Sequence, residues 1–217
     1  DSYVINGTKT WISNGIKGSV FALLVKTDPE AEPRHRGMSL FIADKRPGFR
    51  VGRKIEKMGI RTSPMAELFF DDCEVPEENR LGREGAGANL FTQSLTWERA
   101  CILAPAVGAM QRLYDTCLAY AKTRKQYGQP IGKFQLVASK LIDMRIRLEH
   151  ARQVLYKAAW LRDQGRSIFL EGAMAKLVIS EAWVATAQDA VQIHGGYGYM
   201  TEIEIERELR DAIGSKL

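Results

Sequence analysis

Apolar and polar residues follow two different spacings along the 217-residue chain, and the spacing changes near residue 88. Before this point, short apolar runs alternate with turn residues, which is typical of antiparallel β structure. After it, apolar residues recur every three, four or seven positions, which predicts amphipathic helices. The pattern therefore predicts an α+β multi-domain chain, with an antiparallel β-barrel or sandwich over residues 1–80 and an antiparallel four-helix bundle over 81–217.

Turn residues set the expected strand boundaries in the first domain. Asn6-Gly7 predicts a hairpin and Asn14-Gly15 a second turn, while a charged, glycine-containing connector is expected from Pro76 to residue 89. Six strands are predicted, at Tyr3–Ile5, Thr8–Ser13, Val20–Val25, Met38–Ala43, Phe49–Ile55 and Ala66–Phe70.

The second domain is predicted to open on one long helix, from about Ala88 to Lys125. Gly128 and Pro130 follow it and predict its end. Later helices are expected over about 134–164, 169–193 and 202–212. The apolar stripe of the long helix is Leu95, Ile102, Ala106, Ala109, Leu113 and Cys117.

A straight helix would hold two charged residues of this stretch far apart. Glu98 and Arg124 are separated by 26 positions, which is roughly 39 Å at the α-helical rise. If both residues serve ligand sites, one chain cannot bring them to the same small ligand. The long helix therefore predicts an oligomer in which each site takes residues from two chains.

Composition excludes several classes of function. The net charge of +5 comes from basic and acidic residues that largely alternate, which indicates solvated helix faces and not a nucleic-acid interface. Three cysteines without a CxxC pair and three scattered histidines give no metal-ligand spacing, so no metal site is predicted and a reducing compartment is favoured. No apolar run reaches 18 residues, so no membrane span is expected. The chain starts on Asp1 and stops just after a helical pattern, so both ends are expected to be cut from a longer polypeptide, with any targeting segment not visible.

Seven motifs, in order along nearly the whole chain, resemble the acyl-CoA dehydrogenase family of flavoproteins. The resemblance implies a middle β domain, incomplete at its start, and a C-terminal helical bundle truncated at its end, with the family's N-terminal helical domain absent. The motifs are Asn6-Gly7 with Lys9–Gly15, Met58-Gly59-Ile60-Arg61, Phe70–Pro76, Arg124–Gly128, Phe134-Gln135, Gln192–Tyr199 and Leu209–Ala212.

By themselves, Trp11 and Ser13 would be a core tryptophan and a turn serine. The resemblance instead implies that Trp11 packs against the isoalloxazine ring of FAD and that Ser13 hydrogen-bonds near flavin N5. A flat apolar ring suits an aromatic wall, and a buried nitrogen needs a hydrogen-bond partner.

A second group of residues would otherwise be surface polar residues and a glycine helix stop. The resemblance implies that they contact the FAD pyrophosphate and adenosine of a neighbouring subunit, through bidentate arginine contacts and close backbone approach at glycines. They are Arg124, Gln126, Tyr127, Gln135, Gln192, Gly195 and Gly196.

Glu98 is the candidate catalytic base, since no basic residue lies three or four positions away and an apolar setting would raise the pKa of its carboxyl. Glu149 has Arg145 and Arg152 in reach and is interpreted as a surface salt-bridge residue. Glu181 has surroundings as apolar as those of Glu98, so local context leaves both open.

The family resolves that choice by resemblance. Some members place the base on a loop that would lie beyond Leu217, and others place it at the glutamate of Trp97-Glu98-Arg99. Thr96 and Arg99 are the implied substrate-binding residues.

The implied reaction is α,β-desaturation of an acyl-CoA thioester, with hydride transfer to FAD and an electron-transfer flavoprotein as acceptor. A homodimer or homotetramer is implied, in the bacterial cytoplasm or the mitochondrial matrix, and the fragment alone is expected to be inactive. Three alternatives stay open: an acyl-carrier-protein-linked dehydrogenase, a flavin oxidase or hydroxylase, and a largely non-catalytic assembly scaffold.

Overall fold

The computed structural model describes all of residues 1–217 and divides into two compact units, Asp1–Leu95 and Thr96–Leu217. The first unit is built on antiparallel sheets and the second is a bundle of helices, so the predicted fold class is confirmed. Helix α1, Gly87–Cys101, crosses the limit between the units. The boundary expected from the sequence, between residues 80 and 81, stays a prediction.

The β unit contains two three-stranded sheets, with strand orders β1-β5-β4 and β2-β3-β6. Every pair is antiparallel, and the sheets do not close into a barrel, so the unit is sandwich-like. The strands are β1 Ser2–Ser13, β2 Val20–Lys26, β3 Met38–Asp44, β4 Phe49–Ile55, β5 Met65–Pro76 and β6 Arg80–Leu81. Strand β6 lies in the predicted connector and was not expected, since two residues are too few to show a period.

Apolar residues from both sheets share one core. Phe41 of β3 is fully buried together with Leu68, Phe70 and Val75 of β5. Phe49 of β4 packs edge-on against Phe70, with ring centroids 5.2 Å apart. The alternation of apolar residues in these strands therefore marks the face that is buried between the sheets.

The predicted hairpin at Asn6-Gly7 is wrong, because β1 continues through it. Ile5 pairs with Cys73 and Gly7 with Phe70, so two residues of β5 oppose Asn6 in a β-bulge. The Asn6 side chain completes the bulge: its Oδ1 accepts the Asp72 backbone N–H at 2.7 Å, and its Nδ2 donates to the Asp72 carboxylate at 3.0 Å. An Asn-Gly pair suits this bulge as well as it suits a turn, because Gly7 takes a φ of 145°.

Two further bulges face one residue of β5. Between Lys9 and Ile12, β1 places two residues opposite Glu67, and β4 does the same with Gly52 and Arg53. Bulges bend a strand and redirect its side chains. The end of the sheet that carries Trp11 is therefore the irregular end.

The helical unit packs α2, α3, α4 and α6 around one core. The helix bounds are α2 Ala104–Thr123, α3 Gln135–Asp163, α4 Phe169–His194, α5 Gly196–Tyr199 and α6 Ile205–Gly214. A short hairpin of β7 Lys125–Gln126 and β8 Gln129–Pro130 joins α2 to α3. The later helices agree with the sequence within a few residues. The core contains the fully buried Met110 and Leu113 of α2, Met144 and Leu148 of α3 and Ile179 of α4.

The single long helix expected over 88–125 is wrong, because the chain leaves helical geometry at Ile102 and Leu103. Pro105 occupies the first turn of α2. A proline has no backbone N–H and its ring clashes with the carbonyl four residues earlier, so it starts a helix but cannot continue one. The distance of roughly 39 Å between Glu98 and Arg124 assumed a straight helix. The break removes the geometric basis of the oligomer prediction.

Candidate functional site

A groove of about 600 Å³ in the helical unit collects four of the predicted ligand residues. Arg124, Gln126, Gly195 and Gly196 line it. They come from two segments that are far apart in sequence, the end of α2 with the adjoining β7–β8 hairpin and the end of α4. The structure therefore brings together residues that the sequence linked only by resemblance.

Arg124 is held where α2 stops. It follows the last residue of α2 in an extended conformation, and its backbone N–H bonds the Tyr120 carbonyl at 2.8 Å. The exposed guanidinium lies over the Tyr197 ring, with 5.7 Å from its central carbon to the ring centroid. A cation held against an aromatic ring is oriented in advance for a charged ligand.

Gly195 ends α4 in a conformation that only glycine adopts readily, with φ 59° and ψ −136°. A Cβ at Gly195 or Gly196 would meet no atom within 4 Å, so neither glycine is required by packing. The space beside both residues is open groove. Exposed glycine backbone beside an arginine suits close approach by a phosphate-bearing ligand.

The wall of the groove contains aromatic residues that sequence reasoning missed. His194 is only 5% exposed and stacks on Tyr120, with ring centroids 4.2 Å apart. His194 Nδ1 lies 2.8 Å from the Ala190 carbonyl oxygen, to which it donates. One signal was available in the sequence: Tyr120 precedes Arg124 by four residues and lies in the last turn of α2.

Three predicted contacts lie outside the groove lining. Tyr127 is 94% exposed at the tip of the β7–β8 hairpin, where Tyr127 and Gly128 both have positive φ, as a type I′ turn requires. Gln135 begins α3 and is exposed. Gln192 is exposed too, and its carbonyl accepts the Gly195 N–H at 3.2 Å. Their proposed roles need a ligand that extends beyond the groove.

In the β unit, Trp11 is an exposed side chain on a strained backbone. It is 71% exposed and takes a φ of 57° within the bulge of β1. A bulky residue at positive φ is uncommon and costs conformational energy, and such strain concentrates at functional sites. Ser13 is also exposed and pairs with Met65 at the end of the sheet. The alternative of a core tryptophan is therefore wrong.

The last turns of α1 carry Thr96, Glu98 and Arg99. Gly172 of α4 lets the two helices pack closely at this segment, because a Cβ at position 172 would lie only 2.9 Å from the Thr96 carbonyl oxygen. Glu98 and Arg99 are exposed, and Thr96 is half-buried. The apolar setting expected for Glu98 is therefore not provided by this chain.

Ion pairing separates the glutamates that the sequence could not rank. Lys216 donates to Glu181 at 2.8 Å, and Arg145 and Arg152 bond Glu149 at 2.7 and 3.0 Å. Glu98 makes no ion pair or side-chain hydrogen bond. Of the three carboxylates, it is the one free to accept a proton without first losing a partner.

The remaining reactive groups do not form a second centre. Cys73 and Cys117 are buried free thiols, and Cys101 is a half-buried one. No cluster of three or more His, Cys, Asp or Glu side chains is arranged to hold a metal ion. No helix combines the length and the apolar character that crossing a bilayer requires.

Two family sequence models match the chain in order. The acyl-CoA dehydrogenase middle domain matches residues 1–73, and the acyl-CoA dehydrogenase C-terminal domain matches residues 85–216. The first match falls on the sandwich and the second on the bundle that carries the groove. The chain belongs to the acyl-CoA dehydrogenase family.

Curated relatives include enzymes with two kinds of substrate carrier in their names. The L-prolyl-[peptidyl-carrier protein] dehydrogenase of Pseudomonas fluorescens is 42% identical over 217 residues, which is 100% of this chain and 57% of that protein. The mitochondrial short-chain specific acyl-CoA dehydrogenase of Mus musculus is 41% identical over 213 residues, 98% of this chain and 51% of that protein. The chain thus spans about half the length of the curated relatives it matches.

Solved structures of similar proteins share the fold of this chain. The prolyl acyl carrier protein oxidase AnaB superposes with a TM-score of 0.97 at 47% identity, over 100% of this chain and 57% of that one. PigA with FAD and proline superposes with a TM-score of 0.95 at 40% identity, over 99% and 56%.

Proposed function

We propose that this chain forms the middle and C-terminal parts of a flavin-dependent enzyme that introduces a double bond between the α- and β-carbons of an acyl thioester. One observation carries the proposal: Arg124, Gln126, Gly195 and Gly196 line a single groove in a member of the acyl-CoA dehydrogenase family. The family resemblance implies these four residues, and the fold brings them together from two distant segments.

FAD is the proposed cofactor, and the residues present fit it. Arg124 offers a fork of donors for the pyrophosphate, while Gly195 and Gly196 leave the backbone open to it. Trp11 offers an exposed aromatic face for the flavin ring. When bound, the flavin supplies the hydride acceptor that the side chains of this chain lack.

Glu98 is the proposed base, and its role is to take the α-proton of the substrate. Its carboxylate is free of ion pairs, and the proposed substrate contacts Thr96 and Arg99 lie within one turn of it on α1. In the complete enzyme, closure of the site would exclude water from Glu98 and favour proton transfer to it.

Two substrate carriers are candidates. An acyl-CoA is supported by the short-chain acyl-CoA dehydrogenase relative. A prolyl thioester on a carrier protein is supported by the names of the Pseudomonas relative and of AnaB. Because AnaB is named an oxidase, oxygen is a candidate electron acceptor beside an electron-transfer flavoprotein. A dimer or tetramer that shares Arg124, Gln135 and Gln192 between subunits is proposed from family resemblance alone.

Anaerobic mixing of the full-length enzyme with thioesters tests the function. Thioester substrate is expected to bleach the flavin absorbance, because hydride transfer reduces the bound cofactor. A thioether analogue should not bleach it, because without the carbonyl the α-proton is not acidic. Short-chain acyl-CoA and prolyl-carrier thioesters are both offered. Absence of bleaching with every thioester would contradict the proposal and favour a non-catalytic scaffold.

A further inference from the structure

Cations are concentrated on one edge of the β unit. The basic strip consists of Arg50, Arg53, Lys54, Lys57 and Arg61. Glu56 is the only acidic residue between positions 45 and 66. Strand β4 lies at the edge of its sheet, so one side of the strip has no neighbouring strand.

Most of this charge is not neutralised. Lys54 pairs with Glu56 at 2.8 Å, but Arg53 and Lys57 have no acidic partner. The Arg50 guanidinium lies 4.2 Å from the centroid of the Phe69 ring, and Arg61 donates to the Lys57 carbonyl. The nearest acid on β5 is the half-buried Glu67, which lies opposite the bulges. The strip therefore presents a net positive surface.

Protection of an edge strand explains only part of the strip. Charged residues on an edge prevent pairing with other chains, and Arg50 and Lys54 on β4 are enough for that purpose. Lys57 and Arg61 lie beyond β4, in the loop to β5, where no edge needs protection.

Strand register places the end of the strip beside the proposed flavin contacts. Ile12 and Lys54 both pair with Ala66, on opposite sides of β5, and Ser13 and Ile55 pair with Met65 in the same way. Two strand spacings amount to about 10 Å. The strip thus ends at the same irregular end of the sheet as Trp11 and Ser13.

We propose that the basic strip docks an acidic carrier protein, which presents the acyl thioester on a phosphodiester-linked arm. This inference rests on the proposed function. Arg50 and Lys54 pair with Phe69 and Ala66, so they extend roughly 10 Å along the sheet. Lys57 and Arg61 continue the strip, so it is longer than one phosphate group requires. The thioester must reach the flavin, and a partner docked beside Trp11 places its arm within reach.

Charge reversal tests the proposal in the full-length enzyme. Arg53→Glu/Lys57→Glu is compared with the control Lys157→Glu/Arg166→Glu, which makes the same change in net charge at exposed positions of the helical unit. A dye serves as electron acceptor in every assay. The probes are a carrier-protein thioester and the same acyl group on N-acetylcysteamine, which keeps the thioester and omits the carrier.

For the Arg53/Lys57 variant, KM for the carrier-linked substrate should rise about tenfold or more at low salt, with weaker salt dependence, because electrostatic steering is lost. Its kcat for the carrier-linked substrate and its turnover of the N-acetylcysteamine thioester should stay within about twofold of the parent values. The control variant should stay within about twofold of the parent on both substrates. An equal loss on both substrates, or no change at all, would overturn the docking assignment. Failure of the parent to oxidise either thioester would instead contradict the proposed function.

Discussion

Side-chain partners distinguish residues that look alike in sequence. Glu98 and Glu181 have equally apolar helical neighbours, but Glu181 is bonded to Lys216, 35 positions away, and a contact between residues so distant cannot be read from spacing. Trp11 could be a core residue or a ligand wall, and only the bulge shows that it points outward. The sequence singled out these residues as candidates, but it could not show whether their side chains are exposed, since exposure depends on tertiary packing.

A buried thiol gives a prediction about stability at high pH. Burial raises the pKa of Cys117 to about 12, and the Asp189 carboxylate adds to the rise. The unfolded thiol ionises near its ordinary value of about 8.5. Between these values the unfolded state has lost a proton that the native state keeps, so stability falls as pH rises, by up to about 1.4 kcal/mol per pH unit, and is unaffected below about 8.5.

Urea unfolding under reducing conditions at pH 8, 9 and 10 measures this effect. The free energy of unfolding of Cys117→Ala should fall less steeply with pH than that of the parent. Cys101→Ala is the control, because that thiol is only half-buried and should change the slope less. Identical slopes for the parent and Cys117→Ala would show that the thiol ionises in the native state.

At the scale of elements, short-range signals were ambiguous in two places. Asn6-Gly7 predicted a hairpin but forms a bulge, because pairing of β1 with the long strand β5 outweighs the local preference for a turn. The stripe from Leu95 to Cys117 predicted one helix, and Pro105 divides it. A proline inside an apolar stripe was the signal for this break. The helices without such a residue were predicted within a few positions.

The two glycines after α4 differ in what they require. Gly195 needs a backbone conformation that other residues adopt at a cost of about 1–3 kcal/mol, while Gly196 has no positive φ. Gly195→Ala should therefore lower the free energy of unfolding by that amount, and Gly196→Ala should leave it nearly unchanged. Chemical denaturation of the two variants makes the comparison.

Cofactor affinity gives these variants a second readout. A methyl group at Gly196 would enter the open groove, so Gly196→Ala should weaken FAD binding although the fold is unaffected. Flavin fluorescence quenching measures this affinity. Parent-like affinity in Gly196→Ala would mean that the groove does not hold the dinucleotide.

At the scale of the whole molecule, the change of period near residue 88 was enough to predict an antiparallel β-barrel or sandwich followed by a helical bundle. The strands of the sandwich and the helices of the bundle each bury an apolar face, so apolar residues recur along the sequence with the period of the strand or the helix. The groove around Arg124 could not be derived in this way, because its residues come from three elements that share no period. Family resemblance supplied them, and the structure shows that four of them meet.

The central claim is that Glu98 takes a proton from a thioester while FAD accepts the hydride, and stopped-flow reduction of the full-length enzyme tests it most directly. Glu98→Gln keeps the shape of the side chain and removes the base. The account predicts unchanged FAD binding and flavin bleaching at least about 100-fold slower than in the parent. Glu181→Gln, which removes an ion-paired carboxylate, should bleach at nearly the parent rate. Bleaching of Glu98→Gln at the parent rate would contradict the account and place the base on another residue.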